Sequence, residues 1–314
     1  MSLASTPASV SRLPRALKAN ACFAIVAPAG PARLDAERAR IWFAQRGYRC
    51  RLFPSVSQAQ GYLAGPDDQR LADLHAAFAD PDIDAILCMR GGYGSMRLLD
   101  RLDFDLLRAH PKPLIGYSDI TALHTAIHRQ AGFPTFHGAM LNADLLANKQ
   151  PPTSSSLLQQ LTGTLTEGSI IEHPRDMALT SVVPGVATGR LMGGNLSMLG
   201  ATLGTCAEVA LEGRLLFIED VNEPLYRVDR LLTQLRLAGK FEGLEGVLVG
   251  DFAGITVTAL APLLRDIFGP LRIPVLAGWR SGHCDPNVCL PLGAHVTLDS
   301  SARRLRLNQG LFEA

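Results

Sequence analysis

The chain has 314 residues, 47% of them hydrophobic and 19% charged, with a formal net charge of +1. That is material for one large core or two moderate ones, and it excludes a disordered chain. A near-zero charge, with no basic helix and no aromatic-basic interleaving, argues against a nucleic-acid partner.

Residues 1–20 are rich in Ser and Ala and carry Arg12, Arg15 and Lys18. They lack the apolar run and cleavage site of a secretory leader, and are expected to form a mobile extension. No run approaches the ~20 apolar residues of a membrane helix, so no membrane partner is expected. Cysteines stand at 22, 50, 88, 206, 284 and 289 with no C-x-x-C. They read as small apolar residues in reduced form, which, without an export signal, points to the cytoplasm. His283, Cys284 and Cys289 lack a second ligand pair at metal-site spacing, so no metal is expected.

Residues 21–148 alternate strand and helix. Strands are predicted at 21–27, 48–53, 83–88, 113–117 and 135–138, and helices at 32–45, 67–79, 95–101, 105–109 and 119–131. This order predicts an α/β unit with a parallel sheet covered on both faces, whose ligands gather at the carboxyl ends of the strands. Two glycine-bearing turns fall there. Met89-Arg90-Gly91-Gly92-Tyr93-Gly94-Ser95 follows the third strand. It reads as an oxyanion-hole donor, an anion cradle or a plain turn. It matches neither G-x-x-x-x-G-K-[ST] nor G-x-G-x-x-G, and no cofactor is expected. Pro113-Leu114-Ile115-Gly116-Tyr117-Ser118-Asp119-Ile120 follows the fourth strand and is half of a nucleophile elbow, with Ile120 where a second glycine would stand. Ser118 is therefore a candidate nucleophile or a helix N-cap, and the glycine before it is read as allowing the turn.

From 149 to 180 the composition shifts to Pro, Ser and polar residues, a connector with one helix at 155–161. A second unit, 181–314, has strands predicted at 187–191, 214–218, 246–250 and 275–278, a helix at 225–237 and a closing hairpin of 295–299 with 303–307. Two of its tracts carry chemistry. Phe217-Ile218-Glu219-Asp220 ends a buried strand in carboxylates, which either orient a base or cap a turn. Arg280-Ser281-Gly282-His283 sets a histidine in a polar turn, as a general base or a loop residue bonded to backbone.

Five tracts now stand in one order: Gly91-Gly92-Tyr93-Gly94; Ile115-Gly116-Tyr117-Ser118-Asp119; Gly193-Gly194-Asn195-Leu196; Phe217-Ile218-Glu219-Asp220 with Tyr226-x-x-Asp229-Arg230; and Gly282-His283. In this order the chain resembles the LD-carboxypeptidases, serine peptidases that trim peptidoglycan peptides. The resemblance implies Ser118 as nucleophile, His283 as general base and Glu219 as its orienting carboxylate. It also implies an oxyanion hole from the backbone N–H groups of Gly92 and Asp119. The fold it implies is a flavodoxin-like amino-terminal domain and a mixed-sheet, partly barrel-like carboxy-terminal domain. The implied substrate is a small peptide or muropeptide, cut between the L-centre of diaminopimelate or lysine and a terminal D-alanine, and the implied assembly is a homodimer. Ala29 stands where members often carry Ser. A microcin-C immunity-type peptidase, acting on peptidyl or aminoacyl nucleotides, shares the same triad. A non-catalytic small-molecule binder is the alternative from another class. Arg90, Arg230 and Arg280 lie near the motifs as candidates for the substrate carboxylate.

Overall fold

Apolar residues alternating in short runs decide the first sheet. In β1 (Cys22–Val26) Phe23 and Ile25 enter one core while Cys22, Ala24 and Val26 enter another, as the two-residue strand period requires. β3 (Ala85–Cys88) splits in the same way, Leu87 to one side and Ile86 and Cys88 to the other. Both strands are buried on both faces, the usual condition of parallel strands. The computed structural model describes residues 12–313. In it β2 (Arg49–Leu52), β1, β3, β4 (Leu114–Gly116) and β5 (Thr135–His137) lie parallel in that order, the flavodoxin-like arrangement. The helices α1 (Ala36–Ala44), α2 (Asp67–Ala79), α3 (Phe104–Ala109) and α4 (Thr121–Gln130) connect them.

The expected α1 started at residue 32. Asp35 accepts from Arg38 N at 2.9 Å and so starts the helix later, at Ala36. The tract 95–101 is a 3-10 turn rather than an α-helix.

A short helix, α5 (Thr153–Leu161), leads to the second sheet. There β7 (Val186–Asn195), β8 (Arg214–Val221), β9 (Leu244–Ala253) and β10 (Val275–Ala277) run parallel. β6 (Thr180–Val183) joins β10 antiparallel, and the hairpin β12 (His295–Asp299) with β13 (Arg304–Leu307) joins β7 antiparallel. The helices α6 (Leu196–Ala201), α7 (Leu225–Leu237) and α8 (Val257–Phe268) bury Leu199, Leu232 and Leu264 in a third core on this sheet.

Four elements were not expected from the sequence, the short helix α6 among them. β6 straddles the expected boundary at 180/181, where no strand is predicted. α8 carries Pro262 and opens on β-branched residues, yet Thr256 caps it by accepting from Ala259 N at 3.2 Å. β11 (Leu290–Leu292) leaves the second unit and pairs antiparallel with β5 as an outer strand of the first sheet. Nor are residues 12–20 a mobile extension. Leu17 is buried and its N–H donates to Leu161 O at 2.9 Å, while Pro14 O accepts from Glu313 N. Residues 1–11 lie outside the described residues. Among the described residues no helix is long and apolar enough to cross a membrane.

One buried charge fastens the turns at the carboxyl ends. Arg70, fully buried on α2, donates to Pro28 O after β1 and to Gly94 O after β3, and pairs with Asp67. Removing it leaves two buried carbonyls without this donor and takes one of two arginine partners from Asp67, which keeps Arg97. Arg70→Ala is expected to lower unfolding free energy by on the order of 3 kcal/mol, read by urea denaturation.

Candidate active site

Ser118 sits where β4 ends, in a 3-10 turn (Ser118–Ile120) that runs into α4. Its φ is 64°, a left-handed conformation that costs a non-glycine residue roughly 1–2 kcal/mol. Neighbouring bonds hold it there. Ser95 Oγ donates to Asp119 O at 2.6 Å and Ser95 N to Asp119 Oδ2 at 2.8 Å. Burial pushes the Asp119 carboxyl above its ordinary range, and these bonds oppose the shift. Gly116 plays another part than expected. It has no positive φ, but a Cβ there would stand 2.9 Å from Ile120 Cγ1, so its absent side chain makes room for Ile120. The turn itself is taken by Ser118.

The Ser118 hydroxyl makes no capping bond to either helix. It lies against Gly91, where a Cβ would sit 3.1 Å from Ser118 Oγ. Among the described residues, the backbone N–H groups of Gly92 and Asp119 donate to no protein acceptor. They remain free to meet an anion beside the serine.

Glu219 is wholly buried at the end of β8, and its Oε2 accepts from His283 Nδ1 at 2.7 Å and from His283 N at 3.2 Å. Gly282 permits this. Its φ is 108°, and a Cβ would fall 2.4 Å from that same oxygen. The neighbouring carboxylate does other work: Asp220 accepts from Asn195 Nδ2, Ser197 N and Ser197 Oγ, capping α6.

The histidines separate by charge environment. Burial drives His75, His124, His128, His137 and His173 downward, His124 to about 4 and His128 to about 3. Burial pulls His283 down as well, but the hydrogen bond and charge of Glu219 outweigh it, and the net shift is upward. Burial holds the Glu219 carboxyl above its usual range, and His283 draws it back.

Ser118 and His283 make no direct hydrogen bond. What joins them is Tyr117, next to Ser118, whose ring meets the His283 ring edge-on with centroids 4.9 Å apart. The Tyr117 hydroxyl donates to Asp144 Oδ1 at 3.2 Å; Lys149 pairs with Asp144 at 2.5 Å and donates to Cys284 O at 2.9 Å. The sheets meet through Thr121, whose Oγ1 accepts from Asn195 N at 2.9 Å, and Asn195 stands in register with Glu219. Thr121, Asp144 and Lys149 were not singled out in the sequence, and Asn195 only as part of a motif. Gly194 was the available signal, since a Cβ there would lie 2.5 Å from Thr121 Oγ1.

The three arginines differ. Arg90 is exposed and donates to Pro31 O, Arg230 lies 5.5 Å from the Tyr226 ring, and Arg280 pairs with Asp251 at 2.7 Å. Among the described residues no group of three or more His, Cys, Asp or Glu could hold a metal.

An α/β fold that gathers a strained serine, a histidine and a buried carboxylate at its strand ends has the parts of a hydrolase. Residues 23–138 match the LD-carboxypeptidase N-terminal domain, and residues 188–298 the LD-carboxypeptidase C-terminal domain. A probable murein peptide carboxypeptidase of Bacillus subtilis is 40% identical over 318 residues, spanning 97% of both chains. Two solved structures share the fold, a mostly parallel sheet with a curled half-barrel of mixed strands. An MccF-like protein from Bacillus anthracis superposes with TM-score 0.87 at 26% identity, over 95% of this chain and 100% of that one. A muramoyltetrapeptide carboxypeptidase from Oxalobacter formigenes gives 0.78 at 29% identity, over 93% and 100%. The chain belongs to the LD-carboxypeptidase family and is a peptidase, so the alternative of a non-catalytic binder is set aside.

The tight fit at Gly282 gives a test. Gly282→Ala forces the Glu219 carboxylate off the imidazole. A displacement of about 1 Å there is expected to lower peptidase activity about 100-fold, with the fold retained by circular dichroism.

Proposed function

We propose that the protein is a serine-type LD-carboxypeptidase that removes the terminal D-alanine from murein tetrapeptides, at the L-centre of diaminopimelate or lysine, in peptidoglycan recycling. The observation that carries this reading is the 2.7 Å bond from His283 to buried Glu219, beside a serine held in a left-handed turn. Ser118 Oγ attacks the carbonyl carbon while His283 Nε2 takes its proton. This step requires the hydroxyl to turn from Gly91 toward the ring, a rearrangement ordinary between free and substrate-bound sites. The oxyanion forms against the Gly92 and Asp119 N–H groups, each such donor being worth about 3 kcal/mol of barrier. The C–N bond breaks, the imidazolium returns its proton to the departing amine, and water, activated by the same ring, hydrolyses the acyl-serine. Glu219 fixes the ring so that Nδ1 carries its proton and Nε2 is free to act as base. Homodimeric assembly, on the strength of the family resemblance, and a cytoplasmic location, from cysteines read as reduced thiols, complete the reading.

The MccF-like neighbour favours a second reading, a peptidase of the microcin-C immunity type acting on peptidyl or aminoacyl nucleotides. Assaying a murein tetrapeptide beside an aminoacyl sulfamoyl adenylate separates the two.

Two outcomes are expected. Ser118→Ala loses on the order of 10⁵–10⁶ in kcat and is no longer labelled by a fluorophosphonate; ordinary turnover by this variant would end the serine mechanism. The pH profile follows from the Glu219–His283 pair. Only the neutral imidazole accepts a proton, so activity rises with pH through the His283 pKa. Glu219 holds that pKa above the ordinary value of about 6.5. In Glu219→Gln the supporting charge is gone, and burial acts unopposed. The acid limb of kcat/KM is expected to move to lower pH while the plateau drops about 10⁴-fold.

A further inference from the structure

Ser118 and His283 stand on different sheets with no bond between them, so their spacing is set by what holds their neighbours. Those neighbours converge on one ion pair. Tyr117, just before Ser118, donates its hydroxyl to Asp144 Oδ1 at 3.2 Å. Lys149 pairs with that same oxygen at 2.5 Å and donates to the carbonyl of Cys284, just after His283, at 2.9 Å. The pair is itself anchored. Asp144 is wholly buried, its other oxygen accepts from Met140 N at 2.8 Å, and its carbonyl accepts from Lys149 N at 3.1 Å. The next residue along repeats the grip on the loop, Gln150 N donating to Asp285 Oδ1 at 2.7 Å.

Other contacts leave this distance open. Glu219 reaches His283 from the second sheet, so that bond orients the ring without fixing its separation from the first. The Thr121–Asn195 bond joins the sheets at the end of β7 and does not touch the loop. An ion pair this deep contributes little net stability, since desolvation offsets its attraction. Its effect is geometric.

We propose that Asp144 and Lys149 are positioning residues that set the gap between the serine turn and the histidine loop, gripping the residue before one and the residue after the other. The inference rests on the serine reading above and deepens it, adding two residues that act through Tyr117 and Cys284. During attack the hydroxyl must come within reach of Nε2. A loop free to drift by about 1 Å forfeits on the order of 100-fold in rate.

The test breaks the relay at each end. Lys149→Met removes the bond to Cys284 O, and Tyr117→Phe removes the bond to Asp144 while every charge stays paired. Each is expected to lower the rate constant for fluorophosphonate labelling of Ser118, and kcat on a murein tetrapeptide, at least tenfold, with KM within threefold of the unaltered value. A merely structural loss would instead lower the fraction of protein that labels and leave the rate constant of the rest unchanged, which overturns the inference. So does labelling at the ordinary rate. Because both variants cut one relay, the double variant is expected to label within threefold of the slower single one; losses that multiply count against a shared spacer. If Lys149→Met does not fold, Tyr117→Phe carries the test alone, and a rate within threefold of the unaltered protein overturns the inference. Labelling needs no peptide, so a protein that labels but spares murein refutes the murein reading and still tests the spacer. If the unaltered protein does not label, the serine reading fails, and the Nδ1 proton resonance of His283 in ¹⁵N-histidine protein reads the loop. Broadening or loss of that signal in Tyr117→Phe supports the spacer, and an unchanged signal overturns it.

Discussion

The backbone N–H of Asn195 donates to the Thr121 hydroxyl across 2.9 Å, and around that bond the carboxyl ends of two sheets are brought face to face. Thr121 opens α4 three residues after the serine, and Asn195 ends β7 in register with Glu219. This short contact thus ties the turn that carries the proposed nucleophile, Ser118, to the end of β7, in register with Glu219 on the neighbouring strand. Gly194 makes the approach possible, because any Cβ there would collide with Thr121. Each unit alone holds only part of the chemistry.

Burial and one carboxylate together suit His283 to the proposed role of base. A fully buried imidazole normally becomes neutral and inert, as His124 and His137 illustrate. His283 escapes because Glu219 is itself buried and can satisfy its charge chiefly through that ring. The carboxylate and the imidazole each answer the desolvation of the other. Asp220, one residue on, points to α6, so strand alternation alone sorts the proposed orienting acid, Glu219, from the structural one.

Much of the fold was legible because it rests on local rules. The alternation of apolar runs with helical periods gave the parallel sheet, and its strand ends located the glycine turn and Ser118. The closing hairpin followed in the same way, and so did the middle of β7, β8 and β9, although these strands run 10, 8 and 10 residues where shorter ones were expected. What escaped was non-local. β11 has three residues and pairs with a strand more than 150 positions earlier, so no nearby pattern marks it. α8 hides behind Pro262, its stability coming from a Thr cap and from Leu264 in the core. At the site, the motifs named Ser118, Glu219 and His283, but not the Tyr117–Asp144–Lys149 group that braces the histidine loop, for a hydrogen bond to a distant backbone carbonyl has no sequence signature. Gly116 was read for its freedom to turn and proves to matter for the space it leaves.

The excursion of β11 constrains how the enzyme can open. The segment bearing His283 leaves β10 in one sheet at Ala277 and is stitched into the other from Leu290 by pairing with β5, and between those anchors Asn287 N and Cys289 N donate to Thr153 and Ser156 on α5. A clam-shell swing of one half away from the other would tear that strand out of its ladder. The same segment is thus held by both sheets and by α5, which weighs against a hinge that separates them.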